Sequence, residues 1–182
     1  LCAVTCMIYV LARSKSLLQA KPFSLALLGK LAPYTLCFTT LLMVEIAALV
    51  GIFDARVRGN PLFMLMIGLF YVMAAQSIGL LLYTFTGSTI TAYSLIGILV
   101  SIAMTFSGMA VPELSMPLPA RIISNIEPLT HALYAMFDVF LRQVHARAIF
   151  SVCALLAVYP LVAALLVRNR LPARLAKEGN AG

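Results

Sequence analysis

The chain has 182 residues, 63% of them hydrophobic and 10% charged, with a mean hydropathy of +1.03. A water-soluble domain cannot hide that much apolar surface in one core, so a soluble enzyme or binding module is excluded and a membrane protein remains. The net charge of +7 lies between apolar runs, where it reports topology, and no nucleic-acid partner is expected.

The chain opens at Leu1 inside an apolar run, so residues 1–12 read as the end of a span that begins upstream. The segment 13–30 follows, with Arg13, Lys15, Lys21 and Lys30 and no acid. Charge-poor stretches then run at about 31–53, 61–84, 88–109 and 148–167. About 20 residues of helix at ~1.5 Å each match a hydrocarbon core of ~30 Å. Backbone groups in lipid must bond within their own segment, so these stretches are helices. The expected fold class is all-α: one transmembrane domain, a polytopic helical bundle over 1–182.

The short link 54–60 carries Asp54, Arg56 and Arg58; the link 110–147 balances Glu113, Glu127 and Asp138 against Arg121, Arg142 and Arg147. The tail 168–182 is basic again, with Arg168, Arg170, Arg174 and Lys177 against Glu178. Four spans put 13–30 and 168–182 on one side, and the positive-inside rule makes that side the cytosol. A multi-pass protein of a plasma membrane (bacterial inner membrane) is expected, with a cytoplasmic C-terminus and with 110–147 outside.

Pro112, Pro117, Pro119 and Pro128 interrupt 110–147 and forbid a continuous helix of spanning length. Two short helices fit instead: 119–127 with Pro119 in its first turn, and 128–142 started by Pro128. In the second, His131, Tyr134, Asp138, Arg142 and His145 form one stripe, and Leu129, Leu133, Met136, Phe137 and Phe140 face away from it. The periodicity fits both a hairpin that dips into the membrane and a loop lying on its surface.

Within the spans Glu45 is the one clear ionisable residue, and a charge at mid-bilayer costs ~2.5 kcal/mol or more, so it faces protein or water, is paired, or is neutral. Gln76 and Ser77 in the next span, with Thr35, Thr39 and Thr40 beside Glu45, are the groups able to satisfy it. Cys2, Cys6, Cys37 and Cys153 all lie in apolar runs and read as small buried hydrophobes, not as a metal set.

Phe106-Ser107-Gly108, then Pro112 with Glu113, Met116-Pro117 and Pro128-Leu129-Thr130, resemble the outer hairpin of membrane subunits of type 2 ATP-binding-cassette exporters. Leu27-Leu28-Gly29-Lys30 followed by Pro33-Tyr34 resembles the end of the cytoplasmic loop in the same family. The resemblance covers about residues 1–170. It implies a six-span permease that works with a second permease subunit and an ATP-binding-cassette ATPase subunit, the latter holding ATP and Mg. It assigns Arg13, Lys15, Lys21, Pro22 and Lys30 to the ATPase contact; the charge within the span separately makes Glu45, with Gln76 and Ser77, a candidate for the transport path or the subunit interface, the alternative being a structural glutamate that is protonated or hydrogen-bonded between helices. An outer gate would comprise Phe106, Ser107, Gly108, Pro112, Glu113, Met116, Pro117, Pro128, His131 and Asp138. Two departures stand out: residues 12–24 lack the family's loop glutamates, and Glu127 stands where asparagine is common.

No catalytic role is expected of this chain. It has no GxxxxGK[ST] loop to cradle phosphates, no HExxH, and no histidine in a span to partner Ser107. "FDARVRGN" shares only the Asp-Ala-Arg portion of a lipid-head-group transferase motif and reads as an external turn. The function expected is therefore an exporter permease; a degenerate permease fragment or a non-transporting membrane scaffold is the alternative.

Overall fold

The computed structural model describes residues 2–12, 23–52, 59–86, 88–108, 115–142, 144–167 and 170. Arg13, Lys15, Lys21, Pro22, Pro112 and Glu113 lie outside them. The described residues form helices α1 (Cys2–Ala12), α2 (Phe23–Gly51), α3 (Pro61–Phe85), α4 (Thr89–Phe106), α5 (Leu118–Ile126), α6 (Pro128–Leu141) and α7 (Ala146–Val167), with no strand among them. Four stretches are long and apolar enough to cross a membrane: Gly29–Gly51, Pro61–Phe85, Thr89–Phe106 and Ala146–Val167. The protein is thus an all-α polytopic bundle with a proline-broken helical hairpin before its last span.

Local chemistry sets the helix ends. Asn60 caps α3, its Oδ1 accepting the Leu62 N–H at 2.9 Å, and Pro61 takes the first helical position, where no N–H is needed. Ser88 caps α4 by accepting the Thr91 N–H at 3.1 Å. Hydroxyls along the spans bond back to their own helix: Thr39 to the Thr35 carbonyl at 2.7 Å, Ser101 to Gly97 at 2.8 Å and Thr105 to Ser101 at 2.8 Å. Each is thereby satisfied without water, which makes a polar residue tolerable in an apolar helix. Helix α2 begins at Phe23, so Lys30 sits on its first turns, inside the segment read from sequence as a loop.

Helix α3 is the axis of the bundle. Near one end Met64 and Ile67 pack with Ala132, Ala135 and Val139 of α6 and with Ile149, Cys153 and Leu156 of α7. Near the other, Ala75, Leu80 and Tyr83 pack with Val4, Met7, Ile8 and Leu11 of α1, Ala92 and Ile96 of α4, and Val167 of α7. Helices α3 and α7 therefore run parallel. At this second end Arg170 stacks 5.3 Å from the centre of the Phe85 ring. Gly79 lets α1 lie against α3: a Cβ there would stand 2.9 Å from the Val4 carbonyl oxygen and 3.0 Å from Met7 Cβ. Helix α2 is the least covered span; it touches α3 through a Thr35 hydroxyl donating to Gln76 Oε1 at 2.8 Å and through Leu42 against Gly68.

The buried face of α6 differs from the larger apolar face expected from sequence. Pro128, Thr130, Ala132, Ala135 and Val139 are its buried residues, while Phe137 is exposed. Helices in lipid gain little by burying large apolar side chains and approach closely where residues are small, so the alanine face wins the contact with α3 and α7.

Candidate functional site

The hairpin α5–α6 enters the bundle rather than lying across its end. The Gly59 N–H donates to the Val139 carbonyl at 3.0 Å, which holds the α6 C-terminus level with the start of α3. From there α6 runs antiparallel to α3, so the Ile126-Glu127-Pro128 turn is carried to the level of Tyr71, about 15 Å along α3. On the other flank the Tyr159 hydroxyl of α7 donates to the Ile126 carbonyl. A non-helical turn at that depth must have its backbone groups satisfied by protein. Tyr159 serves Ile126, and the Glu127 N–H donates to the Ser124 carbonyl at 3.3 Å.

Glu127 ends α5 and precedes α6 in one extended residue, because Pro128 disfavours helix in the residue before it. Its Oε2 is buried and has no hydrogen-bond partner. Tyr71 and Tyr159 both lie within electrostatic reach of its carboxylate. Burial pushes the Glu127 carboxyl up from 4.5 to about 7. Beside the turn, the Ser124 and Thr130 hydroxyls face each other at 3.5 Å, both fully enclosed, and His131 Nε2 engages the Asn125 carbonyl at 2.8 Å.

Higher up, α4 stops at Phe106 and the hairpin fills the space above it. Ser107 is buried and donates to the Met104 carbonyl at 3.1 Å. Gly108 turns the chain with φ +84°, and the Tyr134 hydroxyl of α6 sits against its Cα. Met116 is buried where the chain returns, and Pro117 is the exposed residue that starts α5. Asp138 pairs loosely with Arg142 at 3.9 Å; both are exposed, so the pair adds little stability. Among the described residues that the family resemblance marked as gate candidates, the structure thus gathers Phe106, Ser107, Gly108, Met116, Pro117, Pro128 and His131 around the hairpin and leaves Asp138 on its surface.

The expected grouping of Glu45 with Gln76 and Ser77 does not form. Glu45 projects from the exposed face of α2, about 15 Å along that helix from the Thr35–Gln76 bond. Ser77 spends its hydroxyl on the Ala74 carbonyl at 2.6 Å. Lys30 is half-buried on α2. Among the described residues no group of three or more His, Cys, Asp or Glu side chains is placed to hold a metal ion.

Sequence reasoning did not single out Tyr71 or Tyr159; it noted Glu127 only as a departure from the family's pattern and Tyr134 only as one member of the polar stripe on α6. A signal was present: tyrosines in spans favour the membrane interface, where the hydroxyl meets water, and Tyr71 and Tyr159 instead stand deep in α3 and α7. Deep tyrosines advertise a polar partner from another element. Tyr159→Phe is expected to lower the unfolding free energy by about 1 kcal/mol, read as a fall of about 2–4 °C in the unfolding midpoint of the purified protein. An unchanged midpoint would mean that the bond does not hold the tip.

Residues 12–168 match the family model described as ABC-2 family transporter protein. No curated protein and no solved structure matches the chain. With four stretches long and apolar enough to cross a membrane, a proline-broken hairpin before the last of them and a match covering most of its length, the chain belongs to the ABC-2 family of transporter proteins, as a membrane-embedded permease subunit.

Proposed function

We propose that the chain is the permease subunit of an exporter, paired with a second permease subunit and driven by ATP and Mg bound in a separate ATP-binding-cassette subunit. The basic segments and Arg170 belong at the cytosolic end by the positive-inside rule, which puts the hairpin at the outer leaflet of a bacterial inner membrane. The observation that carries the reading is mechanical. Helix α2, which continues from the basic segment 13–22, bears on α3 through Thr35–Gln76 and Leu42–Gly68, and α3 in turn holds the hairpin through Met64 and Ile67.

A push on 13–22 as the ATPase subunits close would then travel along α2 into α3 and shift the surface on which the hairpin is seated. Substrate would leave past α5–α6. Replacing 13–22 by a Gly/Ser linker is expected to abolish co-purification with the ATPase subunit, or to reduce ATP hydrolysis by the complex about tenfold, while the permease still folds. Unchanged co-purification together with an unchanged hydrolysis rate would defeat the coupling.

A further inference from the structure

We infer that the Glu127 carboxyl is a proton-binding site at the tip of the α5–α6 hairpin, filled while the tip is seated between α3 and α7 and emptied when the tip withdraws toward water. The geometry favours the neutral acid, because one of the two carboxyl oxygens is shut away from water without a donor. Glu127 Oε2 is enclosed and meets no donor, and a carboxylate oxygen buried without one loses its hydration and gains nothing in exchange.

The groups around it do not supply a compensating charge. Helix α3 contributes Tyr71 and α7 contributes Tyr159, whose hydroxyl is committed to the Ile126 carbonyl. On the hairpin itself His131 is engaged with the Asn125 carbonyl, Arg121 is exposed on α5, and Asp138 and Arg142 pair with each other at the far end of α6. Helix α4 brings no titratable side chain to the turn, since its Tyr93 lies near its other end, beside Tyr9 and Cys6 of α1.

The Tyr159 hydroxyl ties the Ile126 carbonyl to α7, whereas the Glu127-to-Ser124 and His131-to-Asn125 bonds lie within the hairpin and survive withdrawal. The raised value near 7 gives the direction of the coupling. Well below 4.5 the tip holds its proton whether seated or withdrawn, and pH has no leverage. Between 4.5 and about 7 the seated tip alone holds it, and each rising pH unit shifts the balance toward withdrawal by about tenfold. Well above 7 both forms are ionised and the balance is level again. Acid therefore seats the hairpin and neutral-to-alkaline conditions loosen it, whatever compound is transported and in whichever direction.

The test uses the purified permease in lipid nanodiscs, with Cys2, Cys6, Cys37 and Cys153 replaced by alanine and with Ser124→Cys as a reporter at the enclosed tip. Its maleimide labelling rate is divided by the rate in the same protein carrying Glu127→Gln, which cancels the thiol's own pH dependence. The ratio is expected to stay near unity at about pH 4 and to rise about a hundredfold or more by about pH 8. A flat ratio overturns the proposal. So does a pH-dependent opening of equal size with Glu127→Gln, which would belong to another group. Thr130→Cys provides a second reporter should Ser124→Cys fail to fold. Infrared difference spectra of the unlabelled protein give an independent reading: a protonated-carboxyl band titrating near neutrality and missing in Glu127→Gln supports the site, and its absence refutes it.

Discussion

Gly79→Leu is expected to unseat α1 from α3 and to destabilise the purified permease by about 3 kcal/mol. A Cβ at this position would meet the Val4 carbonyl at 2.9 Å and Met7 Cβ at 3.0 Å. The first obstacle is backbone, so it cannot rotate aside, and α1 as a whole must move. That shift would open the cluster of Val4, Met7, Ile8 and Leu11 against Leu80 and Tyr83. Gly79→Ala should show a smaller loss of the same sign. Gly97→Ala is the control, because a Cβ there meets nothing within 4 Å and alanine favours helix. Unfolding midpoints of the three variants in one detergent check the order; a Gly79→Leu protein as stable as Gly97→Ala would mean that α1 does not lie where the glycine permits.

The second large effect is expected at the hairpin. Gly108→Val places a β-branched residue at φ +84°, a backbone conformation that costs such a residue about 1–3 kcal/mol, and drives its Cβ into the Tyr134 hydroxyl. The two costs can be separated. Tyr134→Phe removes the hydroxyl that collides, so Gly108→Ala should be less harmful in the Tyr134→Phe background than alone, by about 1 kcal/mol. The remaining loss is backbone strain and should persist. Equal losses in both backgrounds would show that Tyr134 does not rest on this glycine.

Much of the architecture follows from one-dimensional features. Unbroken apolar stretches of spanning length must be helices in lipid, because no water is there to satisfy the backbone. Prolines at 119 and 128 must divide the segment before α7, because proline removes a donor and disfavours helix in the residue before it. Both arguments need only the chain itself, and the structure shows the resulting all-α bundle and the broken hairpin.

Other features depend on what lies opposite. The period of α6 pointed to Met136, Phe137 and Phe140; Met136 and Phe140 do pack against the core, but Phe137 is exposed and the fully buried contact is made by Ala132, Ala135 and Val139, because the distance between helices rewards small residues and periodicity carries no distance. Glu45 drew notice as a charge within a span, but it stands on the exposed face of α2, away from Gln76 and Ser77. Glu127 drew notice only as a glutamate standing where asparagine is common, with no sign of its surroundings. Its burial is set by Tyr71 and Tyr159, which are 56 and 32 residues away along the chain and belong to helices that no local pattern pairs with the turn.

The sequence by itself determined that this protein is helical, how many stretches can cross a membrane, and where the hairpin must break, since hydrophobic length and proline chemistry act locally. Only the tertiary structure decided that α6 packs against α3 and α7, and that the hairpin's tip encloses one oxygen of a carboxyl. Those outcomes rest on close approach and desolvation, which arise between segments that meet only after the chain has folded.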